Sequence, residues 1–183
     1  MKPTFYLIAG ANGSGKTTLG HELLREHKDL VSLNTDEIAA KIGDKTGFSS
    51  GKIIQDRLDK VIAAKESFVW ESTISGVHHR RILEKARRAK YEIILIYMFL
   101  DSVDLNIARV QKRVALGGHN VPESDIRRRF ARSIKNFWGV KTLADQWELY
   151  YNGDDNYEQV ARGTPDYEEI IDDDKYKKFK AIK

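Results

Sequence analysis

Residues Gly10-Ala11-Asn12-Gly13-Ser14-Gly15-Lys16-Thr17 set three glycines, a lysine and a hydroxyl at the spacing G-x-x-x-x-G-K-[ST], and Thr18 extends the run. These types suit polyphosphate chemistry. Glycines let the chain curl until successive N–H groups face a phosphate, Lys16 reaches the terminal phosphates, and the Thr17 hydroxyl is placed to hold Mg²⁺. The apolar run Phe5-Tyr6-Leu7-Ile8-Ala9 precedes the loop, and Leu19, Leu23 and Leu24 follow it. A strand therefore enters the loop and a helix leaves it, adding its positive N-terminal end to the cradle. Residues Gly10 to Thr18 are read as the site of ATP or GTP with Mg²⁺.

Three carboxylates follow apolar runs, where open α/β sheets bind their ligands. Asp36 follows Val31-Ser32-Leu33-Asn34-Thr35, Glu71 follows Ser67-Phe68-Val69-Trp70, and Asp101 follows Leu100. Asp36 can serve as general base for an acceptor hydroxyl, or as the N-cap of a helix starting at Glu37. Glu71 can orient substrate or a Mg²⁺-bound water, or be a strand-end acid satisfied by backbone amides. Asp101 resembles the acid of a Walker B strand. No glutamate adjoins it to activate water, so a helix cap at Asp101 or Ser102 is the better reading.

Phosphoryl transfer spreads negative charge that arginines can stabilise. Arg109 and Arg113 are four apart and share a helix face. Arg127, Arg128 and Arg129 open a helix beyond Gly117-Gly118-His119-Asn120-Val121-Pro122. Arg127 and Arg129 flank its apolar face and Arg128 points away, so packing does not choose among them. His78, His79 and His119 lack suitably spaced partner ligands and are read as surface or loop residues. Phe137 and Trp138 are read as core, with an aromatic stack on adenine as the alternative.

Strands are expected at 4–9, 30–35, 67–71, 92–99 and 146–151. Helical stripes lie between them at Ile54, Leu58, Val61 and Ile62, at Ile82, Leu83, Ala86 and Ala89, and at Val103, Ile107, Val110 and Val114. Another, Ile126, Phe130, Ile134 and Phe137, follows the glycine break. The alternation predicts an α/β P-loop NTPase with a parallel five-stranded sheet flanked by helices. Residues 157–161 are expected to return as a small closing hairpin after a turn at 152–155. Residues 165–183 are read as a solvated terminal helix or frayed tail.

A length of 183 residues suits one domain over 1–183, with 117–122 as a lid hinge. Hydrophobic content of 41% and charged content of 32% fit an ordinary globular chain, and no apolar run reaches the ~20 residues that cross a bilayer. A cytoplasmic protein with no membrane partner is expected. The absence of cysteine excludes disulfides, thiolate zinc sites and a thiol nucleophile. The net charge of +4 is concentrated in 80–90 and 109–135, which implies an anionic ligand. Nucleotide, sugar nucleotide and nucleic acid all meet that description.

The chain resembles the small zeta-toxin-like P-loop kinases. The resemblance is carried by Ala9 to Leu19, by Leu33-Asn34-Thr35-Asp36-Glu37-Ile38-Ala39 and by Glu71-Ser72-Thr73-Ile74-Ser75-Gly76. It continues through Arg109 to Val114, Gly117 to Glu123 and Ile126-Arg127-Arg128-Arg129-Phe130. It implies phosphorylation of UDP-N-acetylglucosamine or a related sugar nucleotide by ATP or GTP, with an antitoxin protein as partner. By the same resemblance Asp36 is the catalytic base and Glu71 a substrate-site acid. Thr73 binds substrate, and Arg113 with one or two of Arg128 and Arg129 clamps the phosphates. Two other readings stay open: a polynucleotide-end kinase or nucleic-acid-binding protein, and a regulatory ATPase.

Overall fold

In the computed structural model, which describes residues 2–43, 48–153 and 156–182, the apolar run before the phosphate loop forms the central strand β1 (Thr4–Ala9). The chain continues through α1 (Lys16–Glu26), β2 (Val31–Asn34), α2 (Thr35–Ile42), α3 (Phe48–Ala64), β3 (Phe68–Ser72), α4 (His78–Arg88) and β4 (Glu92–Phe99). There follow α5 (Val103–Ala115), α6 (Glu123–Lys141), β5 (Gln146–Tyr151), β6 (Glu158–Thr164), β7 (Tyr167–Ile170) and α7 (Asp173–Ala181). The strands form one seven-stranded sheet of order β2-β3-β1-β4-β5-β6-β7. The first five strands in that order run parallel. Helix α1 packs on β1 and β3, α3 on β2, α4 and α6 on β4, and α7 on β6.

The five expected strands are present with nearly the expected bounds, because strands covered on both faces read as continuous apolar runs. The closing hairpin is present as β5 and β6, but the sheet is corrected from five parallel strands to seven mixed ones, because β6 and β7 extend it antiparallel. Strand β7 is exposed along most of its length and so carries no apolar alternation to read. Of the turn expected at 152–155, residues 154 and 155 lie outside the described residues.

Of the solvated terminal helix or frayed tail expected over 165–183, the terminal helix is present, and it is not wholly solvated, since one face is buried. Helix α7 begins with an Asp172 cap, whose side chain accepts the Lys175 N–H at 2.9 Å, and buries Tyr176 and Phe179. The Phe179 ring lies against Tyr97, Phe99, Phe137 and Trp138. A lysine-rich run concealed two aromatics three residues apart on one helical face.

Helix α6 belongs to two cores. Its start shares a small cluster with α5, where Ile126 meets Ile107, Val110 and Val121. From Phe130 onward, through Ile134, Phe137 and Val140, it packs into the main core. Among the described residues no helix is long and apolar enough to cross a membrane.

Candidate functional site

The phosphate loop is held from two sides. Asn152, just past β5, donates through Nδ2 to the Ser14 carbonyl at 2.9 Å, and Asn106 of α5 donates to the Asn12 carbonyl at 2.7 Å. Gly15 starts α1 with φ 97°, where a side chain would be strained and its Cβ would run into the Asn152 amide. The Lys16 Nζ donates to the Ala11 carbonyl at 2.8 Å across the loop. Ser14 Oγ, fully buried in the loop, has no partner among the described residues. An orphaned hydroxyl and a glycine-lined cradle next to a lysine fit a phosphate group.

Strand β3 lies directly beside β1, with Glu71 opposite Ile8 and Ser72 opposite Ala9. That register brings a carboxylate to the start of α1. The Thr17 hydroxyl donates to Glu71 Oε2 at 2.9 Å, and Glu71 is only 6% exposed. Burial pushes its carboxyl above the usual range, against the lowering effects of the Thr17 hydrogen bond and the Lys16 charge. Gly20, one turn after Thr17, leaves room for this acid, since a Cβ there would stand 2.6 Å from Glu71 Oε1. One hydroxyl and one carboxylate suit a hard cation such as Mg²⁺ that takes its remaining oxygens from water and phosphates. Among the described residues no cluster of three His, Asp or Glu could hold a metal unaided.

Beyond Glu71 the chain makes a tight turn. Thr73 Oγ1 lies 2.9 Å from Ser75 Oγ, and Ile74 has φ 45°. Lys16, Glu71, Thr73 and Ser75 line one cleft of about 610 Å³, with Asn34, Thr35 and Trp70 on the same wall. Asn34 Oδ1 accepts the Glu37 N–H at 3.2 Å, so Asn34 caps α2 and not Asp36. Asp36 follows in the first turn of α2; its side chain lies outside the described residues.

Arg128, Arg129 and Arg132 enter the cleft from α6. Arg129 Nη1 lies 3.4 Å from Asn12 Oδ1 of the phosphate loop, and Arg128 pairs with Asp125 at 2.7 Å. Arg127 turns elsewhere, pairing with Glu123 and Asp104. Arg109 and Arg113 do not converge. Arg109 donates to the Gly153 carbonyl at 3.2 Å, while Arg113 donates to the His119 carbonyl at 2.8 Å and accepts the Gly118 N–H at 2.9 Å. Arg113 thus closes the glycine loop onto the end of α5.

Asp101 accepts from the Tyr151 hydroxyl at 2.9 Å, and Ser102 caps α5. His78 and His119, read as surface or loop residues, line the cleft. Sequence reasoning passed over Asn106, Asn152 and Arg132. Asn106 interrupts the apolar stripe of α5, three residues after Val103 and four before Val110, and Asn152 stands at a strand end. Either pattern was a usable signal.

A family model described as Zeta toxin matches residues 1–160. An uncharacterized protein of Haemophilus influenzae is 28% identical over 133 residues, which cover 70% of this chain and 92% of that protein. The complex of AvrRxo1-ORF1 and -ORF2 with ATP contains a chain 14% identical to this one with a TM-score of 0.76. That match covers 97% of this chain and 63% of the other, so this chain spans less than two thirds of that neighbour. A chain of the PezAT chromosomal toxin-antitoxin system of Streptococcus pneumoniae is 15% identical with a TM-score of 0.62, covering 91% of this chain and 72% of its own. With its phosphate loop on an α/β sheet and the family match running from β1 to the start of β6, the chain belongs to the zeta-toxin family of P-loop kinases.

Proposed function

We propose that this chain is a kinase that transfers the γ-phosphate of ATP, or GTP, to a hydroxyl of UDP-N-acetylglucosamine or a related sugar nucleotide. The observation that carries the reading is the Thr17–Glu71 pair beside Lys16, at the phosphate end of a cleft that also holds Thr73 and the α6 arginines. Lys16, Arg128, Arg129 and Arg132 outnumber Glu71 and Asp125 among its lining charges, which suits anionic ligands on both sides of the reaction.

Gly10 to Thr18 cradle the donor phosphates, with backbone N–H groups of the loop facing them. Thr17 and Glu71 would hold Mg²⁺, whose charge would offset the negative charge developing on the phosphates. Lys16 exchanges the Ala11 carbonyl for a terminal phosphate oxygen. Asp36 accepts the proton of the attacking hydroxyl, and Thr73 orients the acceptor. Arg129, already against the loop, and Arg128 and Arg113, once released from Asp125 and His119, complete the clamp as the 117–122 loop closes. A protein antitoxin that covers the cleft is part of the same reading, supported by the PezAT likeness in fold.

The test is to supply ATP labelled at the γ-phosphate with sugar nucleotides, small hydroxyl metabolites and oligonucleotides, then identify what carries the label. Labelled UDP-N-acetylglucosamine is expected. Label confined to oligonucleotide ends, or release of inorganic phosphate alone, overturns the acceptor assignment. Asp36→Asn is expected to keep ATP binding and slow transfer by roughly 10²–10⁴-fold.

A further inference from the structure

The turn after β3 is held in an uncommon shape. Ile74, a β-branched residue, sits at φ 45°, in the left-handed region that such side chains avoid. From inside, its side chain is buried in the main core and its N–H donates to Ser72 Oγ at 3.1 Å. From outside, Asn136 of α6 donates through Nδ2 to the Ile74 carbonyl at 2.6 Å and to the Gly76 carbonyl at 3.3 Å. These two carbonyls bracket Ser75. A carboxamide nitrogen carries two N–H donors and can serve both acceptors at once, which neither a carboxylate nor a methyl group can do.

We infer that Asn136 is a positioning residue for the acceptor. By clasping both carbonyls it holds the left-handed turn, and with it the Thr73 and Ser75 hydroxyls, in the orientation that lines the cleft. The inference rests on the proposed division of the cleft into a donor end at the phosphate loop and an acceptor end at this turn.

The placement of Asn136 separates it from the donor end. Seven residues divide it from Arg129, about 10 Å of helix at ~1.5 Å per residue. Arg129 lines the cleft, whereas Asn136 stands outside it. Loss of the Asn136 clasp therefore disturbs the acceptor end and spares the nucleotide.

Asn136→Ala and the near-isosteric Asn136→Asp provide the test, with UDP-N-acetylglucosamine as acceptor probe and hydrogen exchange of residues 72–77 as a second readout. Both variants should raise the KM for the acceptor at least tenfold and change the KM for ATP less than twofold. ATP hydrolysis without acceptor should be unchanged, and exchange of 72–77 should quicken. Asn136→Gln, which keeps the amide on a longer stem, should recover part of the acceptor KM. An unchanged acceptor KM, or a rise shared equally by ATP, overturns the inference. Failure of the kinase reading looks different: the wild-type chain then labels no sugar nucleotide. Exchange alone decides in that case, and unaltered protection of 72–77 in Asn136→Ala overturns the clasp.

Discussion

Thr17 and Glu71, 54 positions apart in the chain, are joined by a 2.9 Å hydrogen bond from the threonine hydroxyl to Glu71 Oε2. The bond exists because β3, and not the sequentially nearer β2, pairs with β1. It makes the acid near the end of the third strand, and not Asp101 after the fourth, the neighbour of the hydroxyl expected to bind Mg²⁺. Asp101 is bonded to Tyr151 instead.

Glu71→Gln tests this pairing and has a pH signature. Burial raises the Glu71 carboxyl in the folded chain, so the native state keeps the proton to higher pH than the unfolded state does. Its contribution to stability is present below the ordinary carboxylate range and is lost as pH rises through the raised value. The glutamine variant should therefore match or exceed the wild type in urea midpoint at about pH 8 and lose that advantage near about pH 4. Mg²⁺-dependent transfer should fall at least tenfold, since loss of a side chain that orients a metal's ligands typically costs 10–100-fold. The part of the acid limb that Glu71 contributes to the wild-type activity profile should be missing from the residual activity. Equal Mg²⁺ dependence in the two proteins would detach Glu71 from the metal.

Gly20→Ala separates local helix stability from the site. Alanine favours a helix interior over glycine by about 1 kcal/mol, which alone would raise the melting temperature. Its Cβ, however, would stand 2.6 Å from Glu71 Oε1, so the carboxylate must move off Thr17. The expected variant melts within a few degrees of the wild type yet requires severalfold more Mg²⁺ for half-maximal transfer. Unchanged Mg²⁺ titration would mean that Glu71 shifts without consequence.

The parts of the fold that the sequence made legible are those with a single strong pattern. Strands β1, β3 and β4 are buried on both faces and read as apolar runs, and the phosphate loop is tied to its function by glycine, lysine and hydroxyl spacing. Strand order was not legible, so the contact between Thr17 and Glu71 could not be foreseen even though both residues were singled out. Polar residues serving backbone carried a partial signal, a break in a stripe or a strand end, that marks a position without naming its partner. Asn152 and Asn106 reach the loop across 138 and 94 positions, and only the folded sheet brings them there. The arginines show a further limit. Arg113 and Arg109 share a face by spacing, yet Arg113 bonds to the His119 carbonyl and Arg109 to that of Gly153.

Phe179→Ala tests whether α7 is a structural part of the domain. Its ring is fully buried against four other aromatic rings. Removing such a side chain should cost about 3–5 kcal/mol through lost burial and the cavity left behind. Urea denaturation should show the loss as a lower midpoint with little change of slope. A loss below about 1 kcal/mol, the range of surface positions, would return residues 173–181 to the status of a tail.

The three consecutive arginines of α6 should differ sharply when each is replaced by alanine. Arg129 lines the cleft and already reaches Asn12 of the phosphate loop, whereas Arg127 is held by Glu123 and Asp104 away from the cleft. Stabilising charge on a migrating phosphoryl group is worth far more than a surface ion pair, which contributes about 0–1 kcal/mol. Arg129→Ala should therefore lower kcat by roughly 10²–10³-fold, in the range seen when one preorganised donor to the transition state is removed. Arg127→Ala should stay within about threefold of the wild type, because its ion pairs are exposed and screened. Arg128→Ala is expected between them, since its guanidinium lines the cleft but must first leave Asp125. Steady-state kinetics with saturating ATP distinguishes the three. A loss in Arg127→Ala as large as in Arg129→Ala would mean that α6 turns on closing, exchanging the side chains that face the phosphate.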